Sequence, residues 1–300
     1  MSMIKKAFTS RWSEGYIMEL DFRQLEIYVL AFLSGDQRLR NDLISGKDLH
    51  DISAEMLFGK TFDKAQRKIA KQLSFQLQYG AGAASMADSN GIDVKDAKKF
   101  IENYYKRYQG VADYHEKLIT QLTDLRQCRV GLRSTKGIPC GVAKVPSLTG
   151  RVYTHAETDA PDFMVKPKFG GRKAVHVSFS PTKAKNYPVQ GFATADIVPM
   201  VLGNLYRAYR KEGCTGVHAG NNISQWANVV RMINTIHDSV LFDCRNRDAA
   251  YSWGKEAKRI MESAPAELKR IFNIDFDLPL RVGVSIGKNW YDMKEVDIDK

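Results

Sequence analysis

The sequence has few cysteines and no long apolar run. Four cysteines, Cys128, Cys140, Cys214 and Cys244, are spread over 300 residues without a Cys-x-x-Cys pair. This spacing excludes a zinc-finger pattern and a disulfide scaffold, so we interpret the four as reduced thiols of a cytoplasmic protein. The apolar run 27–33 is far shorter than the roughly 20 residues that a membrane helix needs, and no secretory signal is visible. We therefore expect no membrane partner.

Acidic residues are scarce in one stretch, where positive charge accumulates. The chain has 45 Lys and Arg against 34 Asp and Glu, a formal net charge of +11. Residues 126–185 hold twelve of the basic residues and only three acids, Glu157, Asp159 and Asp162. Such a concentration indicates a polyanionic partner. A solvated basic loop with no partner is the alternative interpretation.

Capping signals and hydrophobic periodicity predict helices between two strand-bearing ends of the chain. Strands are predicted at 16–22, 229–236, 240–244 and 278–285. Helices are predicted at 24–33, 48–58, 63–79, 94–108, 111–126, 186–210 and 247–262. Residues 128–180 are expected to be irregular, with short strands and an insertion. This order of elements is typical of an α+β protein.

Two aspartates occupy positions suited to metal binding. Asp21 ends a predicted strand, and Asp238 lies in a tight turn between two predicted strands. Two carboxylates that meet at a sheet edge can hold two Mg²⁺ ions for in-line phosphoryl transfer. For either aspartate alone, the alternative is an ordinary cap or turn residue.

The predicted helix 63–79 carries a stripe of two cations and two aromatic rings. The stripe, at every fourth position, is Arg67, Lys71, Phe75 and Tyr79. Ile69, Leu73 and Leu77 lie on the opposite side and can pack inward. Two cations followed by two rings suit a triphosphate with a sugar and base beside it. Core aromatics beside a surface charge run are the alternative.

Six segments together resemble family A DNA polymerases of the bacterial polymerase I type. They occur in the family's order: Asp21–Asp36, Asp48–Gly59, Arg67–Gly80, Asn186–Ile197, Ile236–Phe242 and Gly287–Trp290. The resemblance runs from about residue 4 to residue 292. It implies a right-hand polymerase palm, an antiparallel sheet, with helical fingers and without thumb or exonuclease domains. The expected domains are palm at 1–45, fingers at 46–184 with a basic insertion at 126–184, and palm again at 185–300.

The resemblance implies a role for each matched residue at the reacting end of the nucleotide. Asp21, Asp238 and the backbone carbonyl of Phe22 would bind two Mg²⁺ ions. Arg67 and Lys71 would hold the incoming triphosphate, and Lys71 would donate a proton to the leaving pyrophosphate.

Further residues are implied in selecting the nucleotide. Phe75 would pack against the sugar and Tyr79 would guard the templating position. Glu26 would exclude a ribose 2′-hydroxyl, and Gln24 joins the nucleotide-binding set.

The resemblance also implies residues that contact DNA. They are Asn186, Gln190, His237 and Arg151. For His237 the alternative is a strand-end histidine with a satisfied hydrogen bond, and for Asn186 and Gln190 it is helix capping. His50 also matches the family, and a structural role is expected for it.

The chain departs from the family pattern in several places. Ser239 stands where an acid usually follows the second catalytic aspartate, which removes a negative charge near the metals. Phe22-Arg23, Tyr28 and Thr182 also replace the usual residues. Because Asp21 lies so near the first residue, we expect a second polymerase chain to supply a thumb and a 3′–5′ exonuclease. The expected partners are primer-template DNA, dNTP and that chain, in a phage-infected bacterial host.

Two other functions are open. Single-subunit RNA polymerases share this fold, the helix with Arg67 and Lys71, and a His-Asp-Ser second motif like the one at 237–239. They have a small residue at the position of Glu26 and typically Met at that of Phe75, which argues against RNA synthesis. The second alternative is a non-catalytic DNA-binding subunit that has kept the fold.

Overall fold

The computed structural model describes residues 3–161, 165, 175–211 and 229–299. The predicted basic positions Lys166, Lys168, Arg172 and Lys173, with Asp162 and Cys214, lie outside the described residues. The chain divides into two compact units. One unit combines Met1–Tyr28 with Ala193–Lys300, and the other is Val29–Phe192. The predicted functional domain boundaries stay a prediction.

The described residues form eleven α-helices and ten strands, together with a 3-10 helix at Met3–Ala7 and a π-helix at Gly191–Ile197. The helices are α1 Leu25–Ser34, α2 Gln37–Ile44, α3 Leu49–Phe58, α4 Lys64–Gln78, α5 Ala83–Asn90, α6 Val94–Arg107, α7 Gln109–Asp124, α8 Pro181–Gln190, α9 Val198–Lys211, α10 Arg247–Glu262 and α11 Ala264–Phe272. The strands are β1 Tyr16–Phe22, β2 Gln127–Arg133, β3 Pro139–Pro146, β4 Val152–Ala156, β5 Thr158–Asp159, β6 Val177–Ser178, β7 Val230–Ile236, β8 Ser239–Cys244, β9 Val282–Gly287 and β10 Lys294–Glu295.

The discontinuous unit is built on a five-stranded sheet of order β10-β9-β1-β8-β7, antiparallel throughout. Strand β1 lies at its centre, and its buried residues include Met18 and Leu20. Helix α10 packs on this sheet, where Trp253 meets Phe242 edge-on at 6.1 Å between ring centroids. Gly254 lets the helix approach closely, because a Cβ there would lie 2.3 Å from the side chain of Ile298.

The continuous unit, Val29–Phe192, is mainly helical and contains a three-stranded sheet of order β2-β3-β4. Five of its described helices, α2, α3, α4, α6 and α8, begin at a residue whose side chain caps the helix. Asp63 forms a capping box with Gln66 at the start of α4, which satisfies two otherwise unpaired N–H groups. Asp36 accepts from the N–H groups of Leu39 and Gly110, both at 2.8 Å, so one carboxylate joins the starts of α2 and α7.

The structure confirms the predicted strand 16–22 and the predicted helices along 24–126, each to within about two residues. Helices α2, α5 and α11 were not predicted. The region 128–180, expected to be irregular with short strands, contains the three-stranded sheet β2-β3-β4, whose β2–β3 pairing has a register shift. The predicted helix 186–210 begins earlier, at Pro181 after the cap Ser180, and is interrupted by the π-helix. The interruption precedes Pro199, which lacks the N–H group that an α-helical ladder needs.

No helix among the described residues is long and apolar enough to cross a membrane. The cysteines that the structure describes, Cys128, Cys140 and Cys244, are free thiols, as expected from the sequence.

Candidate active site

The two predicted metal-binding aspartates lie together at one end of the five-stranded sheet. Asp21 is near the end of β1, opposite Ser239 on β8. Asp238 lies in the two-residue turn that joins β7 to β8, where His237 adopts a positive φ of 53°. The N–H group of Phe22 donates to the carbonyl oxygen of Asp238 at 3.4 Å. The antiparallel pairing of β1 with β8 therefore brings together two carboxylates that are more than two hundred residues apart.

The pair carries a surplus of negative charge. Partial removal from water, then the charges of Asp238 and Glu19, raise the pKa of Asp21 to about 6. Burial also raises the pKa of Asp238, against the opposing effect of His237. The two carboxyl groups are in hydrogen-bond contact, so the raised pKa values belong to the pair as a whole. A bound cation would favour the form in which both groups are ionised.

The donor set suits a hard divalent cation. Mg²⁺ is usually bound through one or two carboxylates, with water and substrate phosphates completing its coordination. Among the residues that the structure describes, no three His, Cys, Asp or Glu side chains form a ligand cluster. The site offers two carboxylates, and the backbone carbonyl of Phe22 is the further ligand that the resemblance implies. The buried ring of Phe22 anchors the strand end where its carbonyl was predicted to contribute.

Gln24 and Glu26 lie just beyond this strand end. Gln24 has a positive φ of 57°, and its carbonyl oxygen accepts from the N–H groups of Ile27 and Tyr28. These bonds start α1 immediately after β1. Glu26 lies in the first turn of α1 and is half-buried. Because the chain passes directly from strand to tight turn to helix, both residues follow Asp21 closely along the chain.

The stripe on α4 is present and partly exposed. Lys71 is exposed and lies 5.8 Å from the centre of the Phe75 ring. Leu73 and Leu77 are buried on the other side, as predicted, whereas Ile69 is only half-buried. The ring of Phe75 is also 5.8 Å from the ring of His50.

His50 is buried in this surface. Burial, followed by the charge of Lys71, lowers its pKa, so the ring is neutral at pH 7. Its position against Phe75 agrees with the structural role expected for it.

Arg67 is not a free cation, which sequence reasoning missed. Its Nε donates to Asp51 and its Nη2 donates to Asp48, both at the start of α3. Asp48 also caps α3, accepting from the N–H group of His50 at 2.8 Å. The sequence signal that could have indicated these ion pairs is the presence of Asp48 and Asp51 at the start of α3, the helix that precedes α4.

Asn186 and Gln190 lie on α8 and face one another. The Nδ2 of Asn186 donates to the Oε1 of Gln190 at 3.3 Å, and the Oδ1 of Asn186 is buried without a hydrogen-bond partner. Ser180 provides the N-cap of this helix. The capping alternative is therefore wrong for Asn186.

The small sheet β2-β3-β4 forms an exposed basic surface. Residues 127–156 contain no acid. Its five cations are all exposed: Arg129, Arg133, Lys136, Lys144 and Arg151. Arg126 is instead paired with Glu157, at 2.7 and 2.8 Å. Strand β2 is exposed along nearly its whole length, on both faces.

The fold is that of a right-hand polymerase palm with helical fingers, as predicted from the sequence. The POL domain of Pol1 from M. smegmatis, in a complex with DNA primer-template and dNTP, matches it with a TM-score of 0.65. The match covers 96% of this chain and 42% of that chain, at 23% sequence identity.

The profile of DNA polymerase family A matches residues 1–292, and the chain belongs to this family. It is 25% identical over 292 residues to DNA polymerase I of Helicobacter pylori. It is 27% identical over 296 residues to the thermostable DNA polymerase I of Thermus aquaticus. These matches cover 97% of this chain but only 27% and 29% of the two relatives. The chain therefore spans less than a third of the length of these relatives.

Proposed function

We propose that the chain catalyses template-directed transfer of deoxynucleotides from dNTP to a primer 3′-hydroxyl. The observation that carries this proposal is the Asp21–Asp238 pair at the sheet end, in a chain of DNA polymerase family A. The relatives named DNA polymerase I support the same reaction. In it, the primer 3′-oxygen attacks the α-phosphorus, and the bond to the leaving pyrophosphate breaks.

Asp21, Asp238 and the carbonyl of Phe22 would hold two Mg²⁺ ions. When bound, these ions would supply charge neutralisation at the attacking and leaving oxygens. The two carboxylates must both be ionised to do so, which the contact between them opposes in the metal-free chain. The protein's own contribution is to hold the pair on two hydrogen-bonded strands, so that positioning costs little at the moment of reaction.

Helix α4 would bind the nucleotide. Lys71 is the exposed cation suited to the triphosphate and would protonate the leaving pyrophosphate. Arg67 would contact the triphosphate with the donors that Asp48 and Asp51 leave open.

The remaining residues of this set would select the nucleotide. Phe75 would pack on the sugar and Tyr79 would guard the templating position. Glu26 and Gln24 complete the set, with Glu26 excluding a 2′-hydroxyl.

DNA binding would rest on cations and amides spread over several elements. The basic sheet described above offers positive charge without any acid over thirty residues, which favours contact with phosphates. Asn186, Gln190, His237 and Arg151 would contact primer or template.

The test is primer extension by the full chain at low salt with Mg²⁺, offering deoxynucleotides or ribonucleotides. Asp238→Asn should abolish extension, and Glu14→Gln, which removes an acid whose side chain is 88% exposed, should leave it unchanged. Extension that survives Asp238→Asn would contradict the proposal. A preference for ribonucleotides would refute the role of Glu26 and favour RNA synthesis.

The second chain with thumb and exonuclease, the phage origin and the infected host stay predictions. Adding extract of the source cells to the purified chain tests the first of them. A longer extension product with wild type, and none with Asp238→Asn, would support a partner. Unchanged product length would contradict it.

A further inference from the structure

Glu19 lies beside the aspartate pair without belonging to it. It precedes Asp21 by two residues on β1, so the two side chains lie on the same face of the sheet. The carboxylate of Glu19 is half-buried. Its Oε1 accepts from the hydroxyl of Ser239 at 3.1 Å and from Nε1 of Trp290 at 3.4 Å. Ser239 follows Asp238 directly, so Glu19 contacts the first residue of β8, next to the turn that carries the second aspartate.

The hydroxyl of Ser239 has a choice of two acceptors. Its oxygen lies 3.1 Å from Oε1 of Glu19 and 3.1 Å from the carbonyl oxygen of Ile236. A hydroxyl has one proton to donate, and an ionised carboxylate is a stronger acceptor than a peptide carbonyl. The proton therefore goes to Glu19. Because Ser239 is buried, water does not compete for this bond.

This bond strengthens a weak point between the two strands. Beyond the register pair Asp21 and Ser239, the backbone contact to the turn is the long 3.4 Å bond from Phe22 to Asp238. The side-chain bond between Glu19 and Ser239 is shorter and charge-assisted. It joins the residue after one aspartate to the strand that carries the other.

Trp290 fixes Glu19 from a second side. Its backbone N–H group donates to the carbonyl oxygen of Phe8 at 3.0 Å, and its ring meets the Phe8 ring edge-on at 5.5 Å. The ammonium group of Lys5 lies 3.8 Å from the centre of the indole. Because the backbone of Trp290 is hydrogen-bonded and its ring is contacted by Phe8 and Lys5, the indole has few rotamers, and its N–H is a well-placed donor for Glu19.

We propose that Glu19 is a positioning residue: it holds the Asp238 turn against β1 through Ser239 and adds a third negative charge beside the aspartates. This inference rests on the proposed function. Its charge contributes to the raised pKa values of both Asp21 and Asp238. The family that the sequence resembles usually has an acid at the position of Ser239. Here the strand opposite supplies a carboxylate within hydrogen-bond distance of that position.

The test measures Mn²⁺ binding to the full chain without DNA or nucleotide, by the free-ion signal in electron paramagnetic resonance. Glu19→Ala removes both the charge and the bond to Ser239, so it should weaken binding by about tenfold, as is typical for partners of metal ligands. Ser239→Ala removes the bond alone and should weaken binding by a smaller factor. The double variant should match Glu19→Ala, because Ser239 has no carboxylate left to bond.

Glu19→Gln keeps an acceptor oxygen and should lie between wild type and Glu19→Ala, which guards against a packing defect. Primer extension gives a second readout: Glu19→Ala should recover activity as Mg²⁺ is raised. The matched control is Glu14→Ala, an exposed acid of the same unit, which should bind Mn²⁺ like wild type.

Two results would overturn the proposal: Glu19→Ala behaving like Glu14→Ala, or effects of Glu19→Ala and Ser239→Ala that multiply in the double variant. Asp238→Asn separates this proposal from the proposed function. If Asp238→Asn abolishes Mn²⁺ binding and Glu19→Ala does not weaken it, only the role of Glu19 is refuted. If Asp238→Asn also binds normally, the metal site itself is refuted.

Discussion

Asp51→Asn should increase the affinity of the chain for nucleotide triphosphates. In the structure, Asp48 and Asp51 occupy two of the five N–H donors of the Arg67 guanidinium. Together the three side chains carry one net negative charge. Asp51 is the better probe because the carboxylate of Asp48 also caps α3, accepting from the N–H groups of His50 and Asp51. The substitution keeps the shape of the side chain and removes its charge.

The size of the effect follows from Coulomb's law. A phosphate on the far side of the guanidinium would lie roughly 7 Å from Asp51, where one pair of unit charges in water interacts by about 0.6 kcal/mol. A magnesium-bound triphosphate with two net charges gives about 1 kcal/mol, and screening at physiological salt reduces this to about half. We therefore expect two- to threefold tighter binding at physiological salt and more at low salt.

The assay is a titration of a fluorescent deoxynucleotide triphosphate with Mg²⁺ into the full chain, at two salt concentrations. Glu55→Gln is the matched control, because Glu55 is exposed on the same helix and its side chain does not bond Arg67. Weaker binding by Asp51→Asn would show that the carboxylates orient Arg67 for the triphosphate, and the competition argument would be refuted. An equal gain in affinity from Glu55→Gln would show that overall charge, and not competition for the donors of Arg67, causes the effect.

Three other predictions concern the helical unit. Burial, followed by the charge of Lys185, lowers the pKa of His115 to about 3. Below about pH 6.5 the unfolded chain binds a proton that the folded chain does not. The free energy of unfolding of this unit should therefore fall by about 2 kcal/mol between pH 7.5 and pH 5. Hydrogen exchange of α7 amides should show this loss in wild type and not in His115→Gln. Asp42→Asn should lower stability by about 2 kcal/mol, because Asp42 is 1% exposed and accepts from Arg107 at 2.6 Å; an unchanged melting curve would contradict this. Arg129→Gln should reduce the slope of log Kd for duplex DNA against log salt by about one, and an unchanged slope would remove β2 from the DNA surface.

Local sequence signals predicted much of the fold. Helix α4 follows directly from the Asp63 cap and the buried Leu73 and Leu77, because each signal lies within a few residues of its effect. Strand β2 was not assigned from the sequence. Its apolar residues Cys128, Val130 and Leu132 do alternate along the strand, but the strand is exposed on both faces, so the alternation marks no buried face. The three-stranded sheet forms by pairing with β3, a contact that local patterns do not report.

Sequence reasoning proposed most residues of the candidate site, but it did not predict the ion pairs and hydrogen bonds that some of them make. Asp21 was proposed from the end of a strand and Asp238 from a tight turn between two strands, and the structure places them in contact. The neutralisation of Arg67 was missed because it depends on how α3 and α4 pack together. Glu19 was missed for a related reason. Alternation along β1 places it on the face of Asp21, but only the register with β8 brings it to Ser239.

The topology of the central sheet also determines the order in which its strands can pair during synthesis. Strand β1 is made before the unit Val29–Phe192, and its partners β8 and β9 are made after that unit. The Glu19–Ser239 bond spans 220 residues. During synthesis, Val29–Phe192 can fold while β1 remains unpaired, with its apolar side chains exposed to water. At roughly 5–20 residues per second, the interval between the synthesis of β1 and that of β8 lasts tens of seconds. We therefore expect a nascent β1 to expose apolar side chains until its partners are made, and the aspartate pair cannot form before Asp238 is synthesised.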